Sequence, residues 1–128
     1  MQMGEDPSGL LQAKTGAVLG LLNRFDEALP LLNRAIELNP NLAVAYNIRG
    51  YLYASLGRNN EALADFTRYI ELTRNNPNPV DYLNRAAIYS RLGRYAEALR
   101  DVDEMVKLGG TPPPGFYEQL RRSAAREY

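Results

Sequence analysis

From Tyr46 to Ile70 large and small side chains alternate at helical spacing. Tyr46, Gly50 and Tyr53 share one face of a first stretch, and Ala62, Phe66, Tyr69 and Ile70 share one face of a second. Gly57 falls between the two, where a tight helix-to-helix connection favours a residue that tolerates left-handed geometry. The pattern predicts a pair of antiparallel helices joined by a short turn.

The pattern recurs along the chain. LGRNNEAL (Leu56 to Leu63) is echoed by LGRYAEAL (Leu92 to Leu99) and more weakly by LNRFDEAL (Leu22 to Leu29), with starts 34 and 36 residues apart. The two extra residues have a seat in Asn75-Asn76-Pro77-Asn78-Pro79, a tract of turn-forming residues. Around the echoes runs one ladder of large and small positions: Gln12, Gly16, Leu19, Ala28 and Leu32; then Tyr46, Gly50, Tyr53, Ala62 and Phe66; then Tyr82, Ala86, Tyr89, Ala98 and Val102. Folding each hairpin about its turn sets Gly50 at the level of Ala62 and Phe66. The small residues then let two backbones approach while the aromatics fill the space beside them. Three hairpins are expected, over about 9–42, 43–76 and 79–112.

Arg49 and Asp65 stand 16 residues apart, as do Arg85 and Asp101, while the first unit has Thr15 and Leu31 at these places. The two places change together. In an antiparallel hairpin they face each other, which predicts structural ion pairs in the second and third units; two solvated surface charges that happen to repeat would give the same spacing. After Thr111-Pro112-Pro113-Pro114-Gly115, Phe116, Leu120 and Ala124 share one helical face, which predicts a helix over about 114–127 that covers the last hairpin.

These residues resemble the tetratricopeptide repeat family, whose unit is about 34 residues of helix, turn and helix. The likeness covers Ser8 to Gly110, with Pro40 as the closing proline of the first unit and Arg74 and Gly110 at that place in the others. It implies an all-α, right-handed α-solenoid of antiparallel helical hairpins, about seven helices in a single domain over residues 1–128. Two departures stand out. Pro30 falls early in a second helix, where it is expected to strain or shorten the first turn. Tyr69 and Met105 replace the small Ala35 and should alter how neighbouring hairpins pack.

The resemblance further implies a concave surface lined by the first helices, which would hold a protein or peptide partner. The candidates on that line are Lys14, Asn47, Tyr51, Asn84 and Arg91; the asparagines offer donor and acceptor to a peptide backbone, and Tyr51 offers contact area at low entropic cost. Ordinary wet surface would use the same residue types. One subfamily binds the acidic C-terminal tails of heat-shock chaperones through lysine, asparagine and arginine. Those places hold Ala13, Ala17, Ile48, Val80 and Asn84, so the clamp is absent and a chaperone tail is not the expected ligand.

Composition narrows the function. Lys+Arg and Asp+Glu are both 15, which removes electrostatic attraction to nucleic acid or an anionic membrane. Cys and His are absent, so no thiolate or imidazole chemistry and no usual zinc ligand is present. Glu27, Glu61 and Glu97 recur at helix starts, where they favour the helix dipole and do not form an acid/base pair. No catalytic residue, metal or cofactor is expected. The N-terminal MQMGEDPSGL lacks the basic start and apolar run of a signal peptide, and no apolar stretch is long enough to span a bilayer, so the chain reads as soluble, with the cytoplasm as its default location. A rival expectation is structural: a scaffold or a piece of a longer solenoid, with Leu10, Leu11 and Val18 offering an apolar face for a homodimer.

Overall fold

The computed structural model describes residues 4–126; residues 1–3 and 127–128 lie outside the described residues, among them Glu127 of the expected capping stretch. The described residues form seven helices and no strand: α1 (Leu10–Leu21), α2 (Phe25–Leu38), α3 (Ala43–Ser55), α4 (Asn59–Leu72), α5 (Pro79–Arg91), α6 (Tyr95–Lys107) and α7 (Phe116–Ala125). They fall into two compact units, residues 4–72 with α1 to α4 and 73–126 with α5 to α7.

Within the units the helices pair in chain order. In the first, α1 packs on α2 and α3 on α4, with α3 also touching α1 and α2; in the second, α5 packs on α6 and α6 on α7. Each hairpin turn is built alike. Gly57 and Gly93 both have φ 73°, and the first hairpin reaches the same left-handed geometry with Asn23 at φ 60°. The amide of the next residue donates back across each turn: Arg24 N to Leu19 O at 2.9 Å, Arg58 N to Tyr53 O at 2.8 Å, and Arg94 N to Tyr89 O at 2.8 Å. That six-residue closure is the Schellman arrangement, and asparagine is the residue that most readily replaces glycine in it.

Small side chains occupy the helix contacts. Ala13, Ala28, Ala35, Ala45, Ala62, Ala86 and Ala98 are fully buried. A Cβ placed on Gly50 would lie 2.8 Å from the Phe66 ring, closer than carbon atoms approach without displacement. Gly50 therefore stands where α3 and α4 meet too tightly for any side chain.

Pro30 does not shorten α2, which runs 14 residues, as α4 does. Proline removes its own N–H, and here both Pro30 and Asp26, whose carbonyl loses that donor, are exposed, so the orphaned oxygen is on the solvent side of the helix. At the other end, Leu120 of α7 is 1% exposed and packs with Ala86, Ala98 and Val102, so α7 covers the apolar side of the last hairpin. The start of α1 is held by its own leader: Asp6 accepts from the Leu11 amide at 3.1 Å, Ser8 Oγ accepts from the Leu10 amide at 3.1 Å, and Glu5 pairs with Arg34 of α2.

Gly50→Val is expected to destabilise the chain by about 1–3 kcal/mol through overpacking, seen as a lower urea midpoint with the helical circular dichroism of the native baseline retained. Adding Phe66→Leu, which removes the opposing ring, should recover part of that loss.

Candidate functional site

The most ordered polar geometry belongs to the repeated arginine and aspartate. Arg49 of α3 donates from Nε and Nη2 to the two oxygens of Asp65 of α4, each at 2.8 Å, and Arg85 of α5 meets Asp101 of α6 in the same forked way at 2.8 and 2.7 Å. The carboxylates are almost fully enclosed, with side-chain exposures of 5% and 6%. Each guanidinium also lies between two tyrosine rings, Tyr46 and Tyr53 at 5.8 and 5.7 Å, and Tyr82 and Tyr89 both at 5.7 Å. The hydrogen bonds to aspartate hold both arginines above their ordinary pKa against the opposing effect of burial. These groups are consumed by one another and by the rings, so they position helices and leave no acid or base to act on a substrate. In the first hairpin the corresponding Thr15 turns its hydroxyl back on the Leu11 carbonyl at 2.9 Å, and Leu31 is half-buried.

The glutamates at the helix starts pair with the preceding arginines: Glu27 with Arg24, Glu61 with Arg58, and Glu97 with Arg94, the last at 2.7 Å. These pairs are largely exposed and worth little individually.

Of the groove candidates, three lie in the first unit. Lys14 is exposed on α1, Asn47 is half-buried on α3, and Tyr51, one turn further along α3, is 44% exposed. Packing does constrain Tyr51: its ring meets Phe66 edge-on, with centroids 5.3 Å apart at 78°. The Asn47 Oδ1 is buried without a hydrogen-bond partner among the described residues. The other two lie on α5 in the second unit, Asn84 half-buried and Arg91 exposed in the last turn.

What the structure adds around Tyr51 is a cleft of about 540 Å³. Ala17 and Leu21 of α1, Phe25 of α2, and Ile48 and Leu52 of α3 line it together with Tyr51. The family resemblance marks Ala17 and Ile48 only as places where clamp residues are missing; their apolar character is itself the signal. Leu21, Phe25 and Leu52 went unnoticed because they stand beside the turn, outside the repeating ladder.

The comparisons with known proteins agree with this architecture. Tetratricopeptide repeat profiles match residues 21–78 and 82–109. The chain is a tetratricopeptide repeat protein. It is similar to the UDP-N-acetylglucosamine–peptide N-acetylglucosaminyltransferase of Giardia intestinalis, 45% identical over 62 residues that make up 45% of this chain and 4% of the relative. It is also similar to heat shock protein STI1 of Saccharomyces cerevisiae, 28% identical over 76 residues, 59% of this chain and 13% of the relative. The chain thus spans only a small part of the length of the curated relatives it matches. Among solved structures, the first tetratricopeptide domain of Spaghetti (RPAP3), bound to an HSP90 peptide, superposes with a TM-score of 0.75 at 21% identity over 95% of this chain and 94% of that one. The fold class is the all-α solenoid of this family. Among the described residues no helix is long and apolar enough to cross a membrane.

Asp65→Ala should cost about 1–3 kcal/mol, because it leaves the partly buried guanidinium of Arg49 without its carboxylate and with only Asn33 as a hydrogen-bond acceptor, whereas the double change Arg49→Met, Asp65→Leu should recover most of that stability; urea denaturation of the two variants beside the wild type measures both. A pH effect is expected at Asp81 of α5, whose carboxyl is raised above its ordinary value by burial. The folded state then binds this proton more tightly than the unfolded chain does, so the stabilisation is complete below the ordinary carboxylate value and is lost as pH rises through the folded one. Asp81→Asn should therefore raise the thermal midpoint at pH 7, with the gain shrinking below about pH 4, as read by circular dichroism at the two pH values.

Proposed function

We propose that this tetratricopeptide repeat protein is a non-catalytic binding module that holds a peptide or partner helix against the first helices of its hairpins. The observation that carries the reading is the open apolar cleft beside Tyr51, bordered by α1 and α3, the first helices of two successive hairpins. Tyr51 lends a partly exposed ring that is already fixed against Phe66, so engaging it costs little conformational entropy. Lys14 and Asn47 on the same helices are the polar contacts of this reading in the first unit, and Asn84 and Arg91 are the candidates on α5 of the second. The structural neighbour RPAP3 is bound to an HSP90 peptide, which supports a peptide as the class of partner. A chaperone tail is a poor fit for this chain, because Ala17 and Ile48 give a terminal carboxylate no donor. The match to a glycosyltransferase supports no catalysis, since it covers 4% of that enzyme.

A second reading has its own observation. Leu11, Val18, Leu21 and Leu22 of the first hairpin are 62%, 56%, 85% and 60% exposed, an apolar stretch that a second copy could cover. Sedimentation velocity across a concentration series separates the two: a size that grows with concentration favours self-association.

The test of the binding reading is capture from the source lysate by the wild-type chain and by the triple variant Tyr51→Ala, Asn47→Ala, Asn84→Ala, with helicity checked by circular dichroism. A partner retained by the wild type and lost by the folded variant is the expected result. Survival of every partner would move the site to the ends or the convex face.

A further inference from the structure

The lining of the cleft indicates what enters it. It is lined by Ala17, Leu21, Phe25, Ile48, Tyr51 and Leu52 together with Gly20, Asn23 and Ser55, whose hydroxyl already donates to the Tyr51 carbonyl at 3.0 Å. No lining residue carries a formal charge. Gly20 lies so close to Leu52 that a side chain there would collide with it, so α1 and α3 pack tightly beside the cleft. A volume of about 540 Å³ leaves ample room for a bulky apolar side chain to enter from the open face. Leu21 and Tyr51 stand at the mouth with much of their apolar surface facing solvent.

Charge enters from one side. Lys14 is the one charged residue of α1, is exposed, and stands three residues before Ala17, so it rises from the same flank of the helix one turn away. It holds the place in its hairpin that Ile48 holds in the next, 34 residues on. No carboxylate lies within ion-pair distance of it among the described residues, whereas Arg24 and Arg34 of the same hairpin are both matched by glutamates. The surface is therefore an apolar hollow with an uncompensated cation at one edge, and its complement is an apolar group with an anion beside it.

Resting on the binding-module reading above, we propose that the cleft between α1 and α3 takes one bulky apolar side chain, leucine, methionine or phenylalanine, from a partner segment whose acidic side chain, three or four residues away, faces Lys14. The apolar residue supplies the affinity by leaving water. The acid supplies orientation, and a basic residue in its place meets repulsion. A free C-terminal carboxylate is not required.

The probes are fluorescein-labelled nonapeptides, acetylated and amidated at their ends, in a serine–alanine host with leucine or alanine at the centre and aspartate or lysine three or four residues to either side. Fluorescence anisotropy at low salt should show binding of a leucine–aspartate peptide, a loss of about tenfold or more when leucine becomes alanine, and a loss of about two- to fivefold when aspartate becomes lysine. Ala17→Glu should abolish binding. Lys14→Glu, at an exposed position that does not threaten folding, should reverse the preference to lysine while the leucine requirement stays. The proposal is overturned if leucine and alanine peptides bind alike, if Lys14→Glu leaves the charge preference unchanged, or if no peptide of the set binds the wild type. Any of those results together with loss of lysate partners in the triple variant would remove this occupant and leave the groove reading standing; survival of every partner in that variant would remove the groove reading itself.

Discussion

Everything in this chain depends on how closely two helices of a hairpin can approach. At Gly50 the α3 backbone meets the Phe66 ring with no room for a methyl group, and the fully buried alanines of the other hairpins repeat a milder form of that contact. Close approach is what allows Arg49 to reach Asp65, and Arg85 to reach Asp101, with both forks of the guanidinium. With larger residues at the contact the arginines would stand off, and enclosed carboxylates without partners would disfavour the fold. Packing thus sets the condition under which the polar pairs are tolerable. The pairs in turn set register, since an arginine shifted by one residue would face away from its acid.

The hairpins were legible because each rests on several signals that agree. The period is carried by the LGR turns, the small residues at helix contacts and the paired change at the Arg49 and Asp65 places, so a weak copy such as Asn23 for glycine did not hide the first unit. Pro30 was misleading for a physical reason: its effect depends on whether the carbonyl it orphans can find water, which spacing alone does not reveal. Tyr51 could be chosen from the sequence as a groove candidate on a first helix. Its edge-on contact with Phe66 could not, because that contact depends on the rotamers of two rings.

The candidate site was less legible than the fold, and the difference lies in what each requires. A fold signal repeats, while a cleft is made of residues that do not. Leu21, Phe25 and Leu52 come from three helices and belong to no ladder. The family resemblance implied what is missing at Ala17 and Ile48 but not that a hollow lies between them. The family supplies a scaffold for presenting surfaces, and the site proposed here is built from those unrepeated positions.

The hairpin turns carry a consequence for how the chain reaches this structure. Partners such as Arg49 and Asp65 are only 16 residues apart, so the chain closes short loops to make its best-defined contacts. Closing such loops loses little entropy, and each Schellman turn biases its flanking segments towards the native crossing before any distant contact exists. Folding of this kind begins in any hairpin and spreads to its neighbours, with a low contact order and a correspondingly high rate. A substitution in one turn then slows or unravels its own hairpin first, and the damage is graded along the chain where a globular core would fail all at once.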